Sequence, residues 1–395
     1  MTNSRLNVTT DWDTLRGFLP ENYAELASEL KQLNLQYGNA KIRTADDLLR
    51  LVLLHVGADL PLRQTVALMA ESGGPDVSHV RLHKKLLRSV PYLRRLVREM
   101  VDTSEVAPER WSGYDVVAVD ATAVCGPGAE TTDARLHTQV RLADLDVLDV
   151  HVAGVEVGET FKRFSWAPGQ LAVADRAYCN APGIGYVVER GGDVLVRVNR
   201  GSLPIFFDDE PFELMPWLRL LPGHHAYEIP VVIHDKERDQ KITGRLVAMR
   251  LPEPQAEKAR ARLVRERGTS VSELDREAAS YVVLFTTVPK SRIDAERCLA
   301  LYRLRWQVEL LFKRWKSLCG LDRLPNHLDE TILAWLYAKV LLALLMQRMA
   351  ASALSPPELQ TSSRRRRPAL DAPTLEADLP TVGDDRTRTS SPRAA

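Results

Sequence analysis

The side chains with the clearest chemical pattern lie between residues 302 and 316, where four polar groups recur at helical spacing. They are Tyr302, Arg305, Glu309 and Lys316. Because a helix turns about 100° per residue, these four fall on one stripe about 60° wide. Such a stripe can hold phosphate oxygens, since arginine makes forked contacts, lysine supplies a point charge and tyrosine donates as a neutral group. A surface helix with an ordinary i,i+4 charge pair is the alternative that the spacing leaves open.

Two more carboxylates follow apolar runs that are typical of buried strands. Asp120 follows residues 116–119, and Asp175 follows residues 171–174. A helix cap or a turn is the ordinary role for one such acid, because ionised carboxylates are costly beside a core. Two acids in the same context, with Glu309 placed soon after a third apolar strand (281–288), indicate that three carboxylates converge.

Three carboxylates with few histidines favour the hard cations Mg²⁺ or Mn²⁺ over zinc. Two such ions about 3.5–4 Å apart are a known arrangement for displacement at phosphate. We therefore expect Asp120, Asp175 and Glu309 to be both the catalytic residues and the ligands of two metal ions. Arg176, beside Asp175, is a further phosphate contact, with pairing to a nearby carboxylate as the alternative. The four cysteines form no CxxC pair, which favours a reducing cytosol over a zinc site or a disulfide framework.

The net charge of +1 hides two basic regions. Residues 78–98 carry seven lysines or arginines and no acid, and residues 290–316 carry eight against three acids. Basic regions in a near-neutral chain indicate contact with a polyanion, although solvated helix faces are an equally common cause.

The region 1–107 has the pattern of a helical domain. Thr44 and Asp47 are typical of a capped helix start, and Ser78 can cap a later basic helix. Two short helices around a glycine-proline turn (73–75) are compatible with a helix-turn-helix reader of DNA. The predicted DNA contacts are Arg81, Lys84, Lys85 and Arg88. A helical bundle whose basic face is merely solvated is the alternative.

At this point a family resemblance becomes specific. The spacing Tyr302-x2-Arg305-x3-Glu309-x6-Lys316 matches the Tyr-Arg-Glu-Lys signature of the IS-four-type insertion-sequence transposases. Asp120 in Val-Asp-Ala-Thr and Asp175 in Ala-Asp-Arg-Ala-Tyr resemble the first and second catalytic acids of that family. The segment 158–164 resembles the one that precedes the second acid. The similarity spans roughly residues 40–320.

The resemblance implies an RNase H-like core, a β-rich insertion between the second Asp and the Glu, and Mg²⁺-dependent chemistry with Mn²⁺ as a substitute. It also implies cleavage at transposon ends and strand transfer into target DNA, through a hairpin in the cut-and-paste members. The implied partners are double-stranded DNA, as terminal inverted repeats and as target, and a second copy of the chain in a synaptic complex.

The element pattern predicts an α/β (α+β) fold with a mixed sheet flanked by helices. The predicted divisions are a helical domain (1–107), the first part of the core (108–200), a β-rich insertion (201–278), the second part of the core (279–350) and a disordered tail rich in arginine, proline and serine (351–395). Residues 157–164 are predicted to form a short helix. The apolar run 332–346, interrupted by Lys339, is predicted to be a buried helix and not a membrane span.

Two tryptophans bear on the same chemistry. Trp217 in the insertion is a candidate for stacking on a flipped base, with an ordinary core tryptophan as the alternative. Trp306, next to Arg305, is expected to pack.

Three functions are compatible with these residues. The first is an active DNA transposase. The second is a decayed or domesticated transposase that binds DNA without cutting it. The atypical tail after Met349 favours this alternative. The third is a structure-selective nuclease on the same fold, whose cleavage would ignore the sequence of the end.

Overall fold

The computed structural model describes residues 8–33, 35, 41–101, 111–125, 134–154, 156–198, 201, 203–322, 324 and 329–354. By its internal contacts the chain divides into Met1–Ala350 and Ala351–Ala395, and only the last turn of a helix is described in the second unit. The tail predicted to be disordered therefore lies almost entirely outside the described residues.

Helices fill the described part of the first hundred residues, as predicted. They are α1 (Val8–Arg16), α2 (Tyr23–Glu29), α3 (Ala45–Gly57), α4 (Leu62–Glu71), α5 (His79–Arg88) and α6 (Val90–Val101). The start of α3 has the predicted cap: Thr44 Oγ1 accepts from the amide of Asp47 at 3.0 Å, and the Asp47 carboxylate accepts from the amide of Thr44 at 3.3 Å. Ser78 caps α5 in the predicted way by accepting from the amide of Arg81 at 3.3 Å.

The described strands form one mixed sheet. They are β1 (Asp115–Val124), β2 (Ala134–Arg141), β3 (Val147–Ala153), β4 (Gln170–Ala174), β5 (Asp193–Arg197), β6 (Ile205–Phe207), β7 (Glu210–Pro211), β8 (Tyr227–Asp235), β9 (Gln240–Arg250) and β10 (Tyr281–Thr286). Their order is β3-β2-β1-β4-β5-β10-β9-β8-β6-β7. The neighbours β1, β4 and β5 are parallel, and the other described pairs are antiparallel. The strands of the predicted insertion thus extend the same sheet through β10.

The remaining helices cover the two faces of this sheet. They are α7 (Ala181–Glu189), α8 (Leu214–Arg219), α9 (Glu253–Arg267), α10 (Glu273–Ala278), α11 (Ala295–Leu304), α12 (Trp306–Cys319) and α13 (Asp329–Leu354). Side chains alternate along β1: Val116 and Ala118 pack in the core shared with α3, α6, α12 and α13, while Val117 and Val119 pack in the core shared with α7. The sheet therefore has two apolar faces, and a polar residue's position along a strand decides which helices it meets.

Helix α13 is long and apolar enough to cross a membrane, but 72% of its most apolar window is buried inside the protein. Lys339 lies in this helix with 1% of its side chain exposed, and its ammonium contacts Asp59 Oδ1 at 2.5 Å. A buried lysine needs such a partner, because an isolated ammonium in a core is very costly. Helix α13 is thus a core helix, as predicted.

Two sequence predictions of helix were wrong in detail. Residues 157–164 form only a 3₁₀ turn at Phe161–Arg163. Burial of Phe161, Phe164 and Trp166 overrides the helical pattern, since the indole of Trp166 donates to the carbonyl of Phe161 at 2.9 Å. The predicted single helix through 302–316 is divided at Arg305 into α11 and α12. Hydrogen bonds of i→i+3 type from Arg305 to Tyr302 and from Val308 to Arg305 tighten the chain there.

Candidate active site

The register of the sheet brings Asp120 and Asp175 together. Val119 of β1 pairs with Ala174 of the parallel strand β4, and Asp120 and Asp175 are the residues that directly follow this pair. Both aspartates continue the alternation of Ala118 and Val173, which face the core shared with α12. Strand β1 runs on to Val124, paired there with β2 alone. Asp120 therefore lies within its strand, beside the end of β4, and not at the strand end that the sequence predicted.

Helices α11 and α12 bring the other side of the site to these aspartates. Arg305, between the two helices, donates from Nη1 to Asp120 Oδ2 at 2.9 Å and from Nη2 to Glu309 Oε1 at 2.6 Å. One guanidinium thus joins the strand acid to the helix acid. The side chain of Arg305 is 14% exposed, and its buried Nε has no hydrogen-bond partner among the described residues.

A cavity of about 430 Å³ contains all three predicted acids in its lining. Its acidic lining residues are Asp120, Asp175, Glu266, Asp275 and Glu309, and its basic ones are Arg176, Arg197, Lys258, Arg262 and Arg305. Tyr302 also lines it, and burial raises the pKa of its hydroxyl. Of the four residues on the predicted stripe, three therefore reach the cavity.

The electrostatics of Asp120 are those of a carboxyl partly removed from water. Burial raises its pKa from the ordinary 3.8 to about 6, and the negative charges of Asp175 and Glu309 add to the rise. The charge of Arg305 and the amide of Ala121, which donates to Oδ1 at 2.8 Å, oppose it. The pKa of Asp120 therefore responds to the charges of the other two acids.

The donor set fits hard divalent cations in its chemistry, because all three acids offer carboxylate oxygens. In the described part of the chain, no three His, Cys, Asp or Glu side chains lie close enough to hold one ion. The positive charge between Asp120 and Glu309 is supplied instead by the guanidinium of Arg305. The guanidinium of Arg305 therefore occupies the position between these two carboxylates.

Two predicted phosphate contacts already have partners within the protein. Lys316 donates to the carbonyl of Ala123 on β1 at 2.9 Å, and it is not among the residues lining the cavity. Arg176 lines the cavity and donates to Glu266 Oε2 at 3.2 Å, which is the carboxylate pairing weighed as the alternative from the sequence.

The predicted DNA contacts on α5 divide into two groups. Arg81, Lys84 and Arg88 are exposed and share one helical face. Lys85 is buried, and its ammonium contacts the carbonyl of Leu33. Burial lowers the pKa of Lys85, and the charges of Arg88 and Arg81 lower it further. Lys85 therefore faces away from any surface on which the other three could meet DNA.

Of the two tryptophans, Trp217 packs as its core alternative predicted, whereas Trp306 does not pack. Trp217 is half-buried, contacts Phe212 edge-on at 5.9 Å and does not line the cavity, so the core alternative holds. Trp306 was expected to pack, but 52% of it is exposed. It lies on the outward face of α12, opposite Val308 and Phe312, which take the buried positions.

Sequence reasoning missed a carboxyl behind the site. Burial raises the pKa of Glu159 from 4.5 to about 7, with further increases from Asp175 and Asp120. Its oxygen lies 3.6 Å from Arg135. The hydroxyl of Tyr178, which these same acids influence, is buried without a hydrogen-bond partner in the described ranges. Glu159 stands in the segment quoted for the family resemblance, which was the signal available.

No motif in the sequence indicated the cations that β5 and α9 contribute to the cavity. Arg197 ends β5 with the same alternation as the two aspartates, and Lys258 and Arg262 lie on α9, more than 75 residues beyond Asp175 in the chain. Nothing local in the sequence indicates that α9 crosses to this edge of the sheet.

Comparison with known proteins shows what the chain is similar to. A family model described as "Transposase DDE domain" matches residues 111–346. InsL of Escherichia coli K12, named as a transposase of insertion sequence element IS186A, is 30% identical over 334 residues, covering 82% of this chain and 90% of InsL. The transposase of insertion sequence element IS421 from Escherichia coli is 30% identical over 335 residues, with the same coverage of 82% and 90%.

A more distant relative matches a shorter part. The transposase of insertion sequence element IS231D from Bacillus thuringiensis subsp. finitimus is 25% identical over 194 residues, covering 44% of this chain and 40% of that protein. The family model spans more than half of the chain and includes all three predicted acids. The chain therefore belongs to the family of insertion-sequence transposases with a DDE domain.

Proposed function

We propose that this transposase cleaves DNA at the terminal inverted repeats of its insertion sequence and joins the released ends to target DNA. The observation that carries the proposal is the convergence of Asp120, Asp175 and Glu309 on one cavity from two adjacent strands and a helix. Acids that are distant in sequence and share a cavity lined with cations are typical of phosphoryl-transfer sites.

Each acid has a defined role in this proposal. Asp120, Asp175 and Glu309 would hold two Mg²⁺ ions, or Mn²⁺ in their place, which when bound supply Lewis acidity at the attacking and leaving oxygens. The buried setting of Asp120 strengthens its interaction with any positive charge, because the surroundings screen poorly.

The cations orient the phosphate. Arg305 can turn its planar fork from the two carboxylates to two phosphate oxygens, a bidentate contact that fixes direction as well as distance. Tyr302 lines the same cavity as a neutral donor, and Arg176 adds a second guanidinium beside Asp175. Lys316 is held against β1 by the Ala123 carbonyl, and it becomes a phosphate contact only by leaving that carbonyl.

The architecture supports a finer assignment to the IS-four type with an RNase H-like core. Strands β1–β3 form an antiparallel meander, β4 and β5 add in parallel beside β1, and the catalytic glutamate follows β10. The domain boundaries at about 107, 200, 278 and 350 belong to this assignment. The same assignment includes a homodimer in the synaptic complex. It also includes action in the cytoplasm, on the DNA of the nucleoid.

The N-terminal helices are assigned a DNA-binding role in the same scheme. The exposed face of Arg81, Lys84 and Arg88 on α5 supplies cations at i, i+3 and i+7 spacing, with α4 packed beside it. Such a face neutralises backbone phosphates and orients the protein on a duplex.

The decisive experiment is cleavage of a labelled duplex carrying one end of the element, with a scrambled duplex beside it. Purified protein with Mg²⁺ is expected to nick the end duplex selectively. Asp120→Asn, Asp175→Asn and Glu309→Gln are each expected to lose at least about 10³-fold in rate while still binding DNA, since each removes several kcal/mol of charge stabilisation. Asp208→Asn is the matched control, because Asp208 is exposed in a turn at φ 50°, which asparagine also adopts.

The outcomes separate the rival functions. Binding without cleavage by the wild-type protein would favour the inactive, DNA-binding alternative. Equal cleavage of the end and scrambled duplexes would favour a structure-selective nuclease. Undiminished cleavage by Glu309→Gln would remove the third acid from the assignment.

A further inference from the structure

Helix α9 presents a charged row to the cavity that holds the three acids. Lys258, Arg262 and Glu266 follow one another at i,i+4 spacing, and all three line the cavity. Ala256 and Leu263 are buried beneath the helix, and Arg260 is tied down by a 2.8 Å contact with Ser280 Oγ. The orientation of α9 is therefore held by packing, and its charged row faces the acids.

The charged row is connected to the acid side by ion pairs. Glu266 accepts from Arg262 Nε at 2.6 Å through one oxygen and from Arg176 Nη2 at 3.2 Å through the other. Arg176 directly follows Asp175, so Glu266 links α9 to the end of β4. The charges of Glu309 and Arg305 also act on Arg262, which places it within electrostatic reach of α12.

The exposure of these groups distinguishes them from a structural ion pair. The side chain of Arg262 is 76% exposed, and those of Arg176 and Glu266 are 39% and 38% exposed. Ion pairs this exposed contribute little to stability, so exchanging a carboxylate partner for a phosphate costs little. Arginine pairs with phosphate through two parallel hydrogen bonds, which a single carboxylate shared between two arginines does not satisfy.

We infer that Lys258 and Arg262 bind backbone phosphates of the DNA strand entering the acidic cavity, and that Glu266 holds Arg176 and Arg262 until DNA displaces it. The inference rests on the proposed function, because the DNA strand bound by α9 is taken to be the strand that is cleaved at the three acids. The occupant is DNA because the row lies on the same cavity as those acids, and its exposed cations Lys258 and Arg262 are complementary to a phosphate backbone.

The test is the salt dependence of binding to the labelled end duplex, measured by fluorescence anisotropy without divalent cation so that no cleavage occurs. Lys258→Gln and Arg262→Gln are each expected to reduce the slope of log K against log salt by about 0.9, the value for one lost duplex phosphate contact. Glu266→Gln is expected to tighten binding at every salt concentration. Arg265→Gln is the matched control, because Arg265 is exposed on the same helix and does not line the cavity.

The results distinguish this inference from the proposed function. Slopes for Lys258→Gln and Arg262→Gln equal to that of Arg265→Gln, in a protein that still cleaves ends, would overturn the inference and leave the function standing. Reduced slopes in a protein that never cleaves ends would support α9 as a DNA surface and overturn the function. Weaker binding by Glu266→Gln would overturn its role as the group that DNA displaces.

Discussion

The acidic and basic sides of the cavity are built in different ways. Asp120 and Asp175 have short side chains, and their places are set by strand register and by the alternation of side chains across the sheet. Arg305, Arg176 and Arg262 reach the same cavity on long side chains, and each is paired with a carboxylate. The acids are thus positioned by the backbone, whereas the cations are positioned by partners that a ligand can replace.

This difference predicts how substitutions behave. Replacing an acid removes a carboxylate whose position the sheet fixes. Replacing a cation removes a contact to the ligand and also a positive charge that acts on the acids. Substitutions on the two sides therefore differ in their pH dependence as well as in their size.

On the basic side of the cavity, the largest effect we expect is that of Arg305→Ala. It removes the phosphate fork and lowers the cleavage rate about 10²- to 10³-fold, the range for loss of one preorganised charged donor. It also removes the charge that opposes the high pKa of Asp120, which burial already raises to about 6. That pKa then rises further, so the acid limb of the cleavage profile moves to higher pH.

The measurement for Arg305→Ala is the rate of a single turnover across a pH series. Arg303→Ala is the control, because Arg303 is exposed on α11 and does not line the cavity. An unchanged acid limb in Arg305→Ala would mean that the cation does not set the protonation of Asp120.

Glu159→Gln tests the acidic side through stability. The pKa of Glu159 is raised from 4.5 to about 7, so the folded state holds this proton more tightly than the unfolded chain does. Wild-type stability is therefore lost as pH rises from about 4.5 through about 7. The glutamine variant does not titrate, so its advantage in the free energy of unfolding should grow over this range, up to about 3 kcal/mol.

Chemical denaturation of both proteins at a series of pH values measures this advantage. Glu156→Gln serves as the control, since Glu156 lies on the same loop and is exposed. A stability difference that stays constant with pH would show that Glu159 does not titrate in the fold.

The smallest effects separate two neighbouring lysines on α5. Lys85→Ala removes a buried side chain and leaves the Leu33 carbonyl without its ammonium, so the free energy of unfolding should fall by about 2 kcal/mol. Lys84→Ala removes an exposed cation and should change stability by less than about 0.5 kcal/mol. It should instead reduce the salt slope of DNA binding by about 0.9.

Urea denaturation and duplex binding on the two variants give both numbers. The reverse pattern, with stability lost in Lys84→Ala and salt slope lost in Lys85→Ala, would contradict the burial of Lys85.

Much of this fold was predictable because its signals are local. The apolar runs before Asp120 and Asp175 predicted two buried strands, and the cap formed by Thr44 and Asp47 predicted the start of α3. The family resemblance predicted a transposase, which the matches confirm. The helix predicted at 157–164 failed because buried aromatics, which are a tertiary effect, outweighed a local helical pattern.

The sequence by itself determined the chemical types at the site and their local spacing, since strand alternation and helix periodicity act over a few residues. Only the tertiary structure decided which charges from distant parts of the chain meet. Arg305 joins Asp120 across 185 residues of chain, and Arg176 joins Glu266 across 90. Such pairs depend on where whole helices pack against the sheet. In the same way, burial and not spacing along α5 separates Lys85 from the exposed Arg81, Lys84 and Arg88.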